Sequence, residues 1–446
     1  MSSTSLVRPG LTTPFSKQLA QIRVRLRKKV SVLSANDVRR ARIPYYEAIA
    51  SELYEEGNTN AAFLVLSLIK YEDQHVWPTS DLSVECRRLC YSSKLLDYFR
   101  TALASIERRR EREQYEQEVL ELLAVARKFA SDPEKHWMAH QFFLITLERN
   151  SDCRPAACRL RTEAMVRYYY GRFLMVQRKE IEAMKQLQLA DAAVSKAIFE
   201  GYPVGVSLDE SGESLDVAIN CLLFRVNHNA AEDCKESPMW MRGQYIRDAH
   251  QAALKTQKAT IMSESYIDYG HFLSTEGHYP EALTLYKNAA RQAELDGSRP
   301  DLLCKARIAQ ASTYHRLREG TKCKAMFQLV DRMTSRDELS LCRASYLHVA
   351  ATIELEEGGS SCEPQSAERL MAKLRQAGNI YQHFQKPDKM IAVRCLEGLV
   401  RADAQFAAYV NLIPAAVSTS DAALYRMIDW LEEARVPQRH EWAPDE

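Results

Sequence analysis

The chain has 446 residues, 46% of them hydrophobic, with only 15 glycines and 15 prolines. So few chain-breaking residues exclude a sheet-rich fold with many turns and favour long helices joined by short connections. No apolar stretch approaches the roughly 20 residues that a membrane-spanning helix needs, and the amino terminus lacks the apolar core of a signal peptide. The eleven cysteines form no CxxC pair, which is typical of reduced thiols in an intracellular soluble protein.

The net charge of +1 is unevenly distributed along the chain. Residues 1–44 contain ten basic residues and one acid, a net +9, and the remainder carries −8. We predict that residues 1–35 form a flexible basic arm that attracts an acidic partner. Nucleic acid, acidic lipid and the acidic tails of tubulin are the polyanions to consider, and a solvated tail without a partner is the simplest alternative. The candidate contact residues are Arg23, Arg25, Arg27, Lys28 and Lys29.

Residues 36–150 are predicted to form an amino-terminal helical region. Asn36 and Asp37 are suited to cap a first helix, and Gly57 to end the next segment. Ala62, Leu66 and Ile69 then repeat at helical spacing. Pro78 breaks the chain before a helix expected from about residue 82 to residue 107.

Residues 107–118 (ERRREREQYEQE) are almost wholly charged. Opposite charges stand three and four residues apart, as in Glu107–Arg110 and Arg109–Glu113, which predicts a solvent-exposed helical stretch and argues against a nucleic-acid patch. Asp132 and Pro133 are expected to begin a new helix after it.

The clearest repeat pattern begins at Tyr266. Tetratricopeptide repeats pair two helices over about 34 residues, with small side chains where the helices approach most closely. With Gly270 at position 8 of the repeat, nearly every expected position is filled by a suitable residue. The matching residues are Tyr266, Tyr269, Leu273, Gly277, Tyr279, Ala282, Tyr286 and Ala289.

Further units extend this pattern over residues 151–411. Gly171 sets a second clear unit, with Tyr170, Leu174, Ala183, Leu187 and Ala190 in register. Weaker units centre on Ala311 (with Tyr314, Cys323 and Phe327) and on Ala350 (with Ile353). Residues 200–260 are predicted to contain another helix pair, 358–366 to be an insertion, and 412–446 to form a carboxyl-terminal helix and short tail. The predicted fold class is therefore an all-α tetratricopeptide-repeat solenoid of antiparallel helix pairs.

No residue pattern predicts catalysis, a cofactor or a metal site. His136 and His140 have metal-ligand spacing, but Trp137 follows where a zinc protease needs Glu, and no third ligand is apparent. Cys86 and Cys90 lack a second ligand pair. Tyr168, Tyr169 and Tyr170 form a run that could be mistaken for a stacking platform. The repeat register places Tyr170 in the core, and for Tyr168 a groove-facing position stays open. Phosphate loops, dinucleotide fingerprints and nucleophile elbows are absent, so the sequence predicts a protein-binding scaffold and not an enzyme.

Four segments resemble one known family. They are LLDYFRTALASIERRREREQYEQ (95–117), LLAVARKFASDPEKHWMAHQFF (122–143), EAMVRYYYGRFLMVQRKEIEAMKQL (163–187) and MIDWLEE (427–433). The chain is similar there, and in the order of its repeats over roughly residues 40–435, to the tetratricopeptide repeat protein twenty-nine family. The family's Asn/Asp-Pro-Glu-x-x-Trp element stands here as DPEKHW. The insertion at 358–366 and the degenerate unit at 200–260 depart from the family pattern.

This resemblance implies a structural, non-enzymatic component of the axoneme in motile cilia and sperm flagella, which supports flagellar assembly and beating. Its implied partners are axonemal or intraflagellar-transport proteins, with tubulin tails for the arm, and neither nucleic acid nor membrane. The alternative is a general cytosolic adaptor or co-chaperone. That alternative is weakened because the Lys and Asn of a carboxylate clamp are replaced by Ile267 and His271 in one clear repeat. An enzyme or RNA-binding repeat protein is a third class, and the acidic body disfavours it.

Overall fold

The computed structural model describes residues 18–19, 21–25, 34–77, 88–201, 212–234, 238–334, 339–358 and 364–417, and positions 422, 424, 425, 428 and 429. These residues are helical or lie in short connections, and no β-strand occurs among them. The chain divides into two compact units, Met1–Gly205 and Val206–Glu446.

The first unit contains helices α1 to α8 in its described part. They are α1 Ala35–Arg42, α2 Tyr45–Glu55, α3 Thr59–Tyr71, α4 Ser93–Glu111, α5 Tyr115–Ala130, α6 His136–Asn150, α7 Ala156–Val176 and α8 Glu180–Phe199. Short turns of other helix types lie at Glu72–Val76, Leu89–Tyr91 and Pro133–Lys135. Each helix packs against the next one in the chain, and α5 also packs against α7.

The second unit contains helices α9 to α17 in its described part. They are α9 Leu215–Asp233, α10 Met239–Thr256, α11 Ala259–Thr275, α12 Tyr279–Asp296, α13 Pro300–Arg316, α14 Gly320–Thr334, α15 Ser340–Gly358, α16 Pro364–His383 and α17 Pro387–Val417. Besides consecutive pairs, α11 packs against α13 and α13 against α15. This is the packing of stacked helix pairs, so the predicted tetratricopeptide class is confirmed, as is the helix pair within 200–260.

The α11–α12 pair has the packing that its repeat register predicts. A Cβ atom added to Gly270 would lie 2.6 Å from Cε1 of Tyr286, so only glycine admits this large ring at this separation. Ala282 and Ala289, on the same helix as Tyr286, are fully buried. Gly277 forms the turn with φ +86°, a conformation that glycine adopts without a steric penalty.

The α7–α8 pair repeats the same arrangement with an aliphatic side chain. A Cβ atom on Gly171 would lie 2.7 Å from Cγ of Leu187 and 3.5 Å from the carbonyl oxygen of Ala183. The weaker units also agree with their register. Ala311, Cys323 and Ile353 are buried in one cluster.

The first helix begins two residues earlier than the sequence predicts. Ser34, not Asn36 or Asp37, is the cap. Its Oγ accepts the Asp37 N–H at 3.1 Å, and the Asp37 carboxylate accepts the Ser34 N–H at 2.8 Å. This reciprocal pair satisfies two N–H groups at the helix start. The Ser34 hydrogen bonds also lower the pKa of Asp37.

The helix expected over residues 82–107 begins later, at Ser93. Residues 78–87 lie outside the described residues, and Leu89–Tyr91 forms a 3-10 turn. The backbone N–H of Leu89 donates to both carboxylate oxygens of Glu72, at 3.1 and 2.9 Å. This hydrogen bond holds the Leu89 N–H against the Glu72 carboxylate, and the regular helix α4 starts after this contact. In α3, Leu66 keeps its helical spacing but is exposed, whereas Ala62 and Ile69 are buried.

The prediction of a solvent-exposed helix over residues 107–118 is wrong. Helix α4 ends at Glu111, Glu113 takes a left-handed φ of 58°, and α5 begins at Tyr115. Glu107 and Glu118 are buried, at 7% and 3% exposure. The run is instead the turn of a helical hairpin, and its buried acids are held by partners more than four residues away in sequence.

Those partners replace the predicted local ion pairs. Arg109 Nε lies 3.0 Å from a carboxylate oxygen of Glu121, and Arg110 Nη1 lies 3.2 Å from Glu118. The Glu107 carboxylate accepts the N–H of Ala61 at 2.8 Å, and that of Asn60 at 3.0 Å. Glu107 therefore caps the amino end of α3.

Candidate protein-binding groove

The groove lies along α9, α11 and α13, the first helices of three consecutive pairs, and encloses about 320 Å³. It is lined by Phe224, Arg225, His228, Asn229, Ile261, Glu264, Ile267, Asp268, Leu302 and Lys305. The helical period places residues three or four apart on one face of each helix. Each helix therefore contributes a short patch of side chains to the same groove.

The floor of the groove is apolar and rigid. Phe224, Ile267 and Leu302 are 5%, 5% and 2% exposed. Ile267 and Leu302 belong to a core cluster with three alanines of α12 and with Ala306 of α13. The floor is therefore a continuation of the helix-pair core and is preformed.

The charged side chains of the walls are largely paired, either with one another or with side chains outside the groove lining. Nδ1 of His228 lies 3.0 Å from Oδ2 of Asp268, and this hydrogen bond raises the pKa of His228. Glu264 lies 3.6 Å from Arg299, and Lys305 lies 3.4 Å from Asp301. These pairs reduce the net charge of the walls.

Arg225 and Asn229 differ from these neighbours. They stand four residues apart on α9 and are exposed, and within the described residues neither makes a hydrogen bond or ion pair. The side-chain amide of Asn229 offers both donors and an acceptor, as a peptide group does, and Arg225 offers a fork of donors suited to carboxylates. Together with the apolar floor, they can hold a polypeptide segment that carries an acidic side chain.

The basic arm residues are described only in part. Arg23 and Arg25 lie in a short helical stretch and are exposed, whereas Arg27, Lys28 and Lys29 lie outside the described residues. Their assignment as contacts for an acidic partner stays a prediction.

The histidines with metal-ligand spacing have aromatic neighbours. Nδ1 of His140 lies 2.9 Å from the hydroxyl of Tyr170, and His136 stands edge-on to Phe173. Burial lowers the pKa of His140 and raises the pKa of Tyr170 to about 12. Over the described residues, no group of three His, Cys, Asp or Glu side chains is arranged to hold a metal ion.

Tyr168 and the pair Cys86 and Cys90 are the remaining candidates from the sequence. Tyr168 is buried at 8% exposure, so it belongs to the core and does not face a groove. Cys90 is partly buried, and Cys86 lies outside the described residues.

Sequence analysis missed the groove residues. Arg225, His228 and Asn229 lie in the segment 200–260, where the repeat register is degenerate. Their three- and four-residue spacing on one predicted helix is the signal that would have grouped them.

Comparisons with known proteins do not assign the chain to a family. No protein-family model matches it, and neither does any curated protein sequence. Among solved structures, aspartyl phosphate phosphatase F from Bacillus subtilis is 10% identical, with 84% of this chain and 97% of that chain covered and a TM-score of 0.34. A Rap protein in complex with competence and sporulation factor is 13% identical, with 80% and 98% covered and a TM-score of 0.25. Similarity at this level has no bearing on function. No helix in the described part of the chain is long and apolar enough to cross a bilayer.

Proposed function

We propose that this chain is a non-enzymatic protein-binding scaffold of the axoneme in motile cilia and sperm flagella, and that it supports flagellar assembly and beating. The observation that carries the binding role is the α9–α11–α13 groove, with its apolar floor and with Arg225 and Asn229, which make no hydrogen bond or ion pair within the described part of the chain. The axonemal setting is supported by the sequence resemblance described above.

The groove favours a partner segment of defined chemistry. A large apolar side chain would fill the floor at Phe224 and Leu302, and a neighbouring carboxylate would pair with Arg225. The amide of Asn229 would hydrogen-bond to the backbone of the segment. Because the floor is preformed, little ordering cost offsets the contact energy.

Photo-cross-linking in flagellated cells tests the groove directly. A photoreactive amino acid at position 229 of the full-length chain should cross-link to an axonemal protein, and Arg225→Glu in the same chain should abolish that product. The control places the photoreactive group at Arg291, which is exposed on α12, where no such product is expected. Arg291→Glu provides the same charge reversal outside the groove.

Extraction of the same cells tests the axonemal setting. A tagged wild-type chain should remain with the demembranated axoneme after detergent and be released only by high salt. A chain found wholly in the detergent-soluble fraction, with no flagellar signal, would contradict the axonemal role and leave a cytosolic adaptor.

The basic arm is proposed to contact the acidic tails of tubulin. Deleting residues 1–33, which leaves the Ser34 cap of α1 in place, should weaken co-sedimentation with microtubules, and the wild-type interaction should fall steeply with salt. A chain with Gln at Arg23, Arg25, Arg27, Lys28 and Lys29 should reproduce the loss at unchanged length. Equal binding by all three chains at low salt would refute this contact.

A further inference from the structure

Helix α17 has two apolar faces, and among its described side chains only one face is buried. Val393, Leu396 and Val400 are buried at 1%, 9% and 0% exposure in a cluster with residues of α15 and α16. Within the described side chains, Val400 is the last residue of α17 in this cluster, and the helix continues to Val417.

The second apolar face runs along most of the helix. Its residues, the outer stripe, are Ile391, Cys395, Leu399, Ala402, Phe406, Val410 and Ile413. Successive members are three or four residues apart, so they fall within about 100° of the helix circumference. All are exposed, the large ones by 57% at Ile391, 59% at Leu399, 55% at Phe406, 42% at Val410 and 41% at Ile413.

Such a face differs from the polar outer faces that keep repeat arrays soluble. Here residues 406–420 contain no charged side chain. A continuous apolar surface of this kind marks an interaction site.

We propose that the outer stripe pairs with the outer stripe of a second copy of this chain, in an antiparallel two-fold arrangement centred on Ala402. A two-fold interface requires that residue i meet residue j while j meets i. Counted outward from Ala402, each residue of the stripe has a counterpart at the same distance on the other side, to within one residue. Leu399 would face Phe406 of the second copy, Cys395 would face Val410, and Ile391 would face Ile413.

The side-chain sizes and charges of the stripe suit this arrangement. The small Ala402 stands at the two-fold axis, where the helices come closest, and the large side chains lie on both sides. Helical geometry directs Arg394, Glu397 and Arg401 more than 100° from the middle of the stripe. Asp403 lies at the edge of the stripe near the axis, where its counterpart on the second copy would repel it.

The extent of the stripe predicts a reversible dimer. Two outer stripes together would bury about 1,000 Å², the lower end for a specific interface. Asp403→Asn removes the repulsion near the axis and should therefore strengthen the dimer several-fold.

Sedimentation equilibrium of the full-length chain over a range of concentrations tests the pairing. The wild type should form a concentration-dependent dimer. The double variant Leu399→Glu/Phe406→Glu should dissociate at least about 100-fold more readily, because the pairing of positions 399 and 406 would bury like charges facing each other. The matched control is Leu295→Glu on α12, where Leu295 is 71% exposed, and this variant should dimerise as the wild type does. Circular dichroism of each variant verifies that the helices remain folded.

Disulfide trapping tests the direction of pairing. In an antiparallel pair, Ala402→Cys should cross-link to its own counterpart, and Val410→Cys should cross-link to the native Cys395 of the second copy. Cys395, which is exposed, should not cross-link to itself in the wild type, whereas a parallel pair would join two copies of Cys395. Mass spectrometry of the oxidised dimer identifies which cysteines are joined.

Each outcome decides the proposal. A wild type that stays monomeric at high concentration would overturn it and leave another segment or another protein as the occupant of the stripe. A dimer that the double glutamate variant does not weaken, or a Cys395–Cys395 bond in the wild type, would equally overturn it.

Discussion

Gly270→Ala is the substitution for which the structure gives the most direct expectation. The new methyl group would lie 2.6 Å from Cε1 and 2.9 Å from Cδ1 of Tyr286, well inside van der Waals contact. The ring cannot move aside easily, since it is 1% exposed and its hydroxyl lies 3.0 Å from Nδ1 of His271. The ring, α11 or α12 must therefore shift.

The net effect is a difference of opposing terms. Alanine in place of glycine within a helix stabilises by about 1 kcal/mol. Overpacking a core costs about 1–3 kcal/mol, and a strained Tyr286–His271 hydrogen bond adds about 1 kcal/mol. We expect Gly270→Ala to lower the free energy of unfolding by about 1–3 kcal/mol.

Gly378→Ala is the matched control, because it isolates the helix-propensity term. Gly378 is also inside a helix, but an added Cβ would meet only Cγ1 of Val393, at an ordinary 3.7 Å. This variant should gain about 0.5–1 kcal/mol. In thermal unfolding, where 1 kcal/mol corresponds to about 2–4 °C in a domain of this size, the two variants should shift Tm in opposite directions. Hydrogen exchange should localise the loss to α11 and α12. If Gly270→Ala raised Tm as Gly378→Ala does, the close approach of the two helices would be refuted.

Two further predictions concern carboxylates. Glu107→Ala should lower the free energy of unfolding by about 1–3 kcal/mol, since it leaves the first N–H groups of α3 without an acceptor. The control Glu111→Ala, at the exposed end of α4, should change this free energy by no more than about 0.5 kcal/mol. Urea unfolding compares the two variants, and equal midpoints would contradict the capping role. The pKa of His228, raised by its bond to Asp268, should fall in Asp268→Asn when the imidazole is titrated by NMR. Because the pKa of His228 is higher in the folded chain, the stabilisation from the His228–Asp268 pair is complete below the unfolded pKa of about 6.5 and is lost as pH rises through the folded pKa. An unchanged His228 titration in Asp268→Asn would show that the pair is not formed.

The repeat units could be predicted from the sequence because each depends on contacts within one helix pair. Gly270 and Tyr286 are 16 residues apart, and their sizes are complementary only if the two helices approach closely. The same is true of Gly171 and Leu187. Several such positions in one register leave little freedom, and the structure confirms the pairings.

The charged run could not be predicted because its partners are remote in sequence. Local spacing favours i to i+4 ion pairs on one helix, whereas Glu107 binds N–H groups at the start of α3 and Glu118 is buried against Arg110 across a turn. A buried carboxylate requires such partners, and only the tertiary structure supplies them. Burial accordingly raises the pKa of Glu118. Acid–base alternation in a sequence does not distinguish a solvated helix face from a hairpin turn of this kind.

The charge asymmetry bears on how the proposed arm and groove would act together. Residues 1–44, which include the arm, carry a net +9 and the rest of the chain carries a net −8, so the body itself is an acidic surface tethered to the arm. An intramolecular competitor acts at an effective concentration in the millimolar range for short flexible links. Tubulin tails would have to bind the arm more strongly than the acidic body does. Their dense negative charge would allow this at low salt. The groove does not face the same competition, because its charged walls are already paired and its selectivity rests on one cation, Arg225, beside an apolar floor. Salt should therefore weaken the arm contact far more than the groove contact. The chain would then stay bound to a protein partner through the groove while its arm exchanges between the acidic body and tubulin tails.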